Sequence, residues 1–376
     1  MHRRGTITLT AALTGTALAL AGCTAQTEQP EAPDASTAPT PTAVPEGTAA
    51  ELADGFLADW VEDGRVIRRD QGGDTVSEGQ AYGLLIALIA EDEQSFDRIW
   101  RWTEEELLLD SGMLAWDWED GAVVDDEPAT DADLDAARAL VIAGERFAQP
   151  EYTEAGLALA DAILEQSTAE TALGRVLLPG PWAADRTPYA YNPSYASPAA
   201  FTVLGEASGD PRWAELSEGA AAIGAVLLDD APLPPDWAQV HEDGTIDAMP
   251  GARGEGLSVR YGYEAARLPI REAESCEPGD RDRAAALLPA LARTDDLAAE
   301  TDLGGTAITE DRHPLTVLGR AAASAAAGDD SAAEADLATA SELQAATNTY
   351  YGASWLVLGT AMLRDGGLDG CPPLAD

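Results

Sequence analysis

From about residue 47 onward the chain is written in one period. Ala/Leu-rich stretches with apolar residues three and four apart alternate with short Gly, Pro and Asp breaks, and almost no run shows the two-residue alternation of a strand. That pattern restricts the fold to packed helices. Helices are expected near residues 48–62, 78–90, 94–109, 132–147, 151–166, 197–208, 211–227, 260–272, 281–293, 313–327, 331–346 and 350–364, about twelve with ends uncertain by a few residues. Such a set can stack as an open solenoid, but no repeat of fixed length recurs, so a closed toroid of paired helices is expected, with loops at one end forming a cleft. One irregular segment, 228–258 (LDDAPLPPDWAQVHEDGTIDAMPGARGEGLS), is too polar and too rich in Gly and Pro for a core, and is expected to form a wall or rim of that cleft.

The residues before this pattern are of another kind. Residues 1–22 carry Arg3 and Arg4, then an apolar run from Ile7 to Ala21, which reads as a secretory leader rather than a spanning helix. Leu20-Ala21-Gly22-Cys23 resembles the site at which bacterial lipoproteins are cleaved and lipidated, which makes Cys23 a candidate lipid attachment point; the alternative is a chance cysteine beside an ordinary cleavage site. Residues 23–46 are rich in Pro, Thr, Ala and acids and contain no aromatic residue, so they are expected to be a disordered tether. Residues 47–376 then form one large domain held at the outer face of a membrane.

Charge narrows the partners. The formal net charge is −45, with 67 acidic residues against 22 basic ones, all of them Arg. Phosphate contacts need a basic face, so nucleic acid is excluded as a partner. A polycation such as chitosan is the kind of polymer an acidic surface attracts. Cys276 and Cys371 can pair in an oxidising compartment or stay as two thiols. The three histidines, His2, His241 and His313, are scattered, so no metal site is expected, no cofactor is called for, and the chain is expected to act as a monomer.

Two acidic motifs carry the chemistry: TVSEGQAYGLL around Glu78 and PATDADLDAA around Asp131, each placing a carboxylate at a helix start. Two separated acids on a rigid scaffold suit glycoside hydrolysis, in which one carboxyl protonates the leaving oxygen while another activates water or stabilises an oxocarbenium-like transition state. Ser77-Glu78-Gly79-Gln80 also reads as a capping box, and Thr130 or Asp131 can serve simply as a cap. In the first helical turn the dipole lowers the pKa of Glu78, the wrong direction for a general acid, so burial or a second acid must oppose it.

In order, DGRVIRRDQGGDTVSEGQAYGLLIAL, FDRIWRWTEEELL, GMLAWDW, PATDADLDAARALVIAGERF, LLPG, YNPSYASP, PPDW, YGYEAARLPIR and TYYGASWLVLGTAML resemble glycoside hydrolase family 8 from about residue 60 to 364. The resemblance implies an all-α (α/α)6 toroid with an open cleft and inverting hydrolysis of β-1,4-linked chains such as cellulose, mixed-linkage glucan, xylan or chitosan. It makes Glu78 the proton donor and Asp131 the acid that holds and orients the sugar at the cleavage point. Asp133 and Asp135, further along the helix, are expected to cap or face solvent.

The chain departs from the family at the third acid. Where cellulase-like members carry the base in a Tyr-Asp-Ala-X-Arg element, this chain has Tyr263-Glu264-Ala265-Ala266-Arg267. The extra methylene moves the carboxylate by about an ångström, and misplacement on that scale can cost about a hundredfold in rate. Glu264 is then a base in a reshaped cleft, a spectator whose role passes to Glu242, Asp243, Asp247 or Glu255, or the mark of lost activity. Arg267 is expected to fix a carboxylate by bidentate contact. By the same resemblance Trp116, Tyr195, Tyr263 and one of Tyr350 or Tyr351, with Trp182 a weaker candidate, line sugar subsites, whereas Trp100, Trp102, Trp213 and Trp355 are core. The expected activity is an endo-β-1,4-glucanase acting on a β-linked polysaccharide. The alternatives are a chitosanase or xylanase, or a catalytically impaired polysaccharide-binding lipoprotein.

Overall fold

A computed structural model describes residues 47–293, 297–368 and 370–374; the leader, Cys23 and the tether lie outside the described residues. Thirteen helices account for most of them: α1 (Ala49–Trp60), α2 (Ser77–Ile89), α3 (Glu93–Glu106), α4 (Thr130–Arg146), α5 (Pro150–Gln166), α6 (Pro198–Ser208), α7 (Arg212–Asp230), α8 (Leu268–Glu274), α9 (Pro278–Ala286), the single turn α10 (Leu288–Leu291), α11 (Pro314–Ala326), α12 (Asp330–Thr347) and α13 (Tyr350–Thr360). Sequence sorts them into two kinds. α3 buries Ser95, Phe96, Ile99, Trp100 and Thr103, one stripe at helical spacing, and so needs a neighbour on one side only. α2 buries all but two of its residues, and a helix apolar all round must be surrounded.

The packing follows. α2, α4, α6, α8, α11 and α13 contact one another in that order, and α13 returns to α2, which closes an inner ring. Each inner helix pairs with an outer one: α2 with α3, α4 with α5, α6 with α7, α8 with α9, α11 with α12 and α13 with α1. This is the (α/α)6 toroid. Close approach within a pair is met by small residues; a Cβ on Gly144 of α4 would stand 2.0 Å from Thr153 Oγ1 of α5.

Strands are present despite the near absence of alternation. Ten strands of two to four residues form four small antiparallel sheets among the described residues, too short for a period of two to show. Residues 228–258, expected to be irregular, contain the hairpin Trp237–Val240 and Ile246–Met249, which joins Tyr189–Tyr191 in one sheet. The helix expected at 260–272 begins only with a 3-10 turn at Ala265–Arg267, and that expected at 281–293 divides into α9 and α10, with Pro289 unable to continue the ladder of hydrogen bonds.

Inside the ring, α4 and α8, on either side of α6, are joined by three buried ion pairs. Asp131 meets Arg267 at 2.7 Å, Asp135 meets Arg271 at 2.7 and 2.5 Å, and Arg138 meets Glu274 at 3.0 and 2.6 Å. The spacing is four and then three residues on both helices, so the pairs stack as rungs. Asp135 is 1 % exposed and Asp133 is fully buried. The expectation that these two acids cap or face solvent is therefore corrected, because every residue of α4 from Thr130 to Leu140 is buried.

Cys276, just after α8, is joined to Cys371 by a disulfide with Cα atoms 5.4 Å apart. The bond closes a loop of 95 residues and ties the C-terminal segment to the toroid. Replacing both cysteines with Ser should lower unfolding free energy by about 2–4 kcal/mol, since the link restricts the unfolded chain. Denaturant unfolding of the variant and of the wild type under oxidising conditions measures the difference; equal midpoints contradict the assignment.

Candidate active site

The inner helices all start at one end of the ring. Glu78 opens α2, Asp131 opens α4, Tyr195 precedes α6, Glu264 precedes α8, His313 caps α11 and Tyr350 opens α13, and all six line one cleft of about 940 Å3. Three carboxylates converge there on Arg267, which is 1 % exposed. One guanidinium nitrogen donates to Asp131 Oδ2 at 2.7 Å and to Glu78 Oε2 at 3.1 Å, and the other to Glu264 Oε2. Arg267 Nε donates to Ser194 Oγ at 3.1 Å, and the guanidinium lies over the Tyr195 ring at 5.3 Å. The expected bidentate contact with one carboxylate is replaced by a hub for three.

Glu264 is held from a second side by Asn192 Nδ2 at 2.8 Å. Asn192 is fixed in turn, its Oδ1 accepting from the Ser194 amide at 3.0 Å and the Ser194 hydroxyl at 2.8 Å. The backbone that carries Glu264 is anchored by Asp236, whose Oδ1 accepts from the Gly262 amide at 2.7 Å and the Ala265 amide at 2.9 Å. None of Asn192, Ser194 and Asp236 is singled out from sequence, although each sits in a motif, NPSY or PPDW; in NPSY only Tyr195 is given a role, and in PPDW no residue is. Of the four loop acids, Glu255 alone lines the cleft: Asp247 is engaged by His241 and Gln239, Asp243 caps the turn at Thr245, and Glu242 is exposed.

The capping box expected at Ser77 does not form. The cap position of α2 is Val76, and Gln80 instead reaches back to the first hairpin, accepting from the Val66 amide at 2.6 Å and donating to Gly64 O and Thr103 Oγ1. Thr130 donates to Leu178 O rather than capping α4. The first carboxylate of each helix is thus left to the cleft. Asp133 accepts from the Leu114 amide at 2.8 Å and so ties α4 to the segment that presents Trp116. Trp116 is the most exposed cleft aromatic at 40 %; Tyr263, Tyr350, Tyr351, Tyr195 and Trp182 also line the cleft, together with Trp237, which sequence reasoning passed over and which meets Tyr195 edge-on. Trp100, Trp213 and Trp355 are buried in the core, as expected, and Trp102 packs against Trp118.

Burial pushes the Glu78 carboxyl up to about 7, helped by the negative charges of Asp131 and Glu264 and opposed by Arg267. A helix N-terminus contributes up to about 2 kcal/mol in the other direction for a partly buried group, about 1.5 pKa units, and burial outweighs it. Asp131 is raised by the same cause. A pKa of Glu78 that is higher folded than unfolded means that folding favours the protonated form. The associated stability is complete below about pH 4.5 and is lost as pH rises to about 7, by up to about 3 kcal/mol. Glu78→Gln removes that dependence. In melts between pH 4 and 8 the variant should gain on the wild type across this window, and parallel curves contradict a buried, high-pKa Glu78.

The family model for glycosyl hydrolases family 8 matches residues 55–365. A probable endoglucanase of Novacetimonas hansenii is 32% identical over 213 residues, 55% of this chain and 61% of that protein. An endoglucanase of Escherichia coli (strain K12) is 34% identical over 205 residues, 50% of this chain and 54% of that protein. The chain thus spans between half and two thirds of the length of these relatives. Of solved structures, the endo-1,4-D-glucanase of Vibrio fischeri ES114 superposes with a TM-score of 0.73 at 23% identity, covering 85% of this chain and 97% of that one. The endo-β-1,4-glucanase of Acetobacter xylinum gives 0.68 at 27% identity, covering 83% and 96%. With the toroid and the acid cluster at its mouth, the match over residues 55–365 establishes that the chain belongs to glycosyl hydrolases family 8.

Proposed function

We propose that the protein is an inverting glycoside hydrolase that cleaves β-1,4 bonds within a glucan such as cellulose or mixed-linkage glucan. The observation that carries the reading is a carboxyl raised to about 7, Glu78, bonded to one terminal nitrogen of a guanidinium whose other terminal nitrogen holds a second carboxylate, Glu264. Glu78 keeps its proton on a substantial fraction of molecules near neutral pH, and in that form donates to the leaving glycosidic oxygen. Glu264, held in place by Arg267 and Asn192, takes a proton from the water that attacks the opposite face of the sugar. Asp131 is held by Arg267 and serves to hold and orient the sugar at the cleavage point. Trp116 and Tyr263 offer exposed ring faces to sugar units.

Outside the cleft, Leu20 to Cys23 and the aromatic-free residues that follow support export and lipid anchoring through Cys23, with the catalytic domain tethered to the membrane. Globomycin treatment of expressing cells or mass spectrometry of the mature N-terminus tests the anchor. A second substrate reading rests on the acids Asp70, Asp125, Glu127 and Glu255 along the cleft, which suit a cationic polymer such as chitosan. Hydrolysis of chitosan then falls as ionic strength rises, whereas that of a neutral glucan does not.

Rates on carboxymethyl-cellulose, mixed-linkage glucan, xylan and chitosan test the main reading. Glu78→Gln and Glu264→Ala should each lose about 10²–10⁴-fold in kcat, and Glu264→Asp should keep part of the rate. In the wild type kcat should decline above about pH 7 as Glu78 loses its proton. Full activity in Glu264→Ala removes Glu264 from the mechanism, and a wild type inert on all four polymers removes the proposed activity.

A further inference from the structure

The order of the inner ring fixes the direction in which a substrate can lie. α2, which carries Glu78, and α8, which Glu264 precedes, stand three places apart among six helices and therefore face each other across the ring. Donor and base must act on opposite faces of a sugar, so the polymer runs across the line joining them. One arm of the cleft then points toward α4 and α6 and the other toward α11 and α13. Tyr263, His313 and Tyr351 form the second arm. The first contains Trp182, between α5 and α6, and its ring face is already covered.

Arg253 covers it. The guanidinium lies 4.7 Å from the centre of the Trp182 ring, and its Nη2 donates to Glu127 Oε2 at 2.5 Å, Glu127 standing just ahead of α4. All three residues line the cleft. Arg253 thus leaves the loop on the α7 to α8 side and is held on the α4 side, 126 residues away in sequence. The loop itself closes tightly: the Gly254 amide donates to Gly251 O, and a Cβ on Gly256, at φ +140°, would stand 2.3 Å from Pro250 O. Half of the Arg253 and Glu127 side chains remains exposed, so the ion pair is weak and screened by salt.

We propose that Arg253 is a specificity-determining gate which occupies the Trp182 face in place of a sugar ring and shuts the α4/α6 arm of the cleft until a long chain displaces it. The inference rests on the proposed carbohydrate-cleaving function. A guanidinium and a pyranose both use the flat indole face, so only one can be there at a time. Short oligosaccharides that occupy the centre and the α11/α13 arm do not meet the gate. Chains long enough to reach Trp182 must break both Arg253 contacts, and their affinity is reduced accordingly.

Binding of β-1,4-linked glucose oligomers of two to six units to the inactive Glu78→Gln protein, followed by calorimetry at low and high salt, tests the gate without turnover. Adding Arg253→Ala should tighten binding of the longest oligomer about fivefold while leaving that of the shortest unchanged. Salt should tighten binding of the longest oligomer to the single variant and have no such effect on the double variant. Arg253→Gln, which keeps the side-chain length, should behave like Arg253→Ala. Weaker or unchanged binding of the longest oligomer after loss of Arg253 overturns the gate and makes Arg253 a sugar contact or a bystander. Absence of binding by every oligomer in both backgrounds overturns it as well. Failure of the wild type to cleave any β-linked polymer, with the gate's length dependence intact, counts against the catalytic reading alone.

Discussion

Everything at the mouth of the toroid depends on one buried cation, the guanidinium of Arg267. Three carboxylates arrive there from three separate parts of the chain, and one positive charge cannot neutralise all of them. Burial lifts the Glu78 carboxyl up to about 7, the charges of Asp131 and Glu264 add to the rise and Arg267 opposes it, so Glu78 is the group that takes a proton. A carboxyl suited to the proposed general acid is thus produced by burial beside two other anions, against the pull of its own helix dipole. Lysine is absent from the chain, and only a planar fork with five donors can serve two directions at once while its Nε bonds Ser194.

Arg267 is also the first of three rungs joining α4 to α8. Buried ion pairs add little net stability but lose much when one partner is removed, so they act chiefly to fix register. Here register sets the distance between Asp131, on α4, and the turn that presents Glu264. Asp236 holds that turn by two backbone amides, and Asn192 holds the carboxylate itself. With the turn and the carboxylate so held, the Glu264 side chain meets Arg267.

The helical toroid and the residues Glu78, Asp131, Glu264 and Arg267 were legible because they rest on local signals: helical periodicity, Gly and Pro breaks, and short motifs in order. What was missed is tertiary. Asp133 and Asp135 look like surface positions until α4 is known to be ringed by other helices, and Ser77-Glu78-Gly79-Gln80 looks like a capping box until Gln80 is drawn away to Val66 and Thr103. Strands of two to four residues carry no readable alternation. Trp182 was recognised as a candidate sugar platform, but that its face is taken by Arg253 depends on a contact 71 positions further along the chain. The Glu127 that holds Arg253 in place carries no motif at all.

In the proposed reaction Glu78 and Glu264, bonded to the two terminal nitrogens of Arg267, act together on a sugar that water attacks from the face opposite the leaving group. The anomeric form of the first product, followed by proton NMR during hydrolysis of a β-1,4-glucan before mutarotation equilibrates it, reads this directly. Inversion delivers the new reducing end as the α-anomer. A β-anomer at early times means that configuration is retained, that one of the carboxylates attacks the sugar itself, and that the arrangement around Arg267 has been misread.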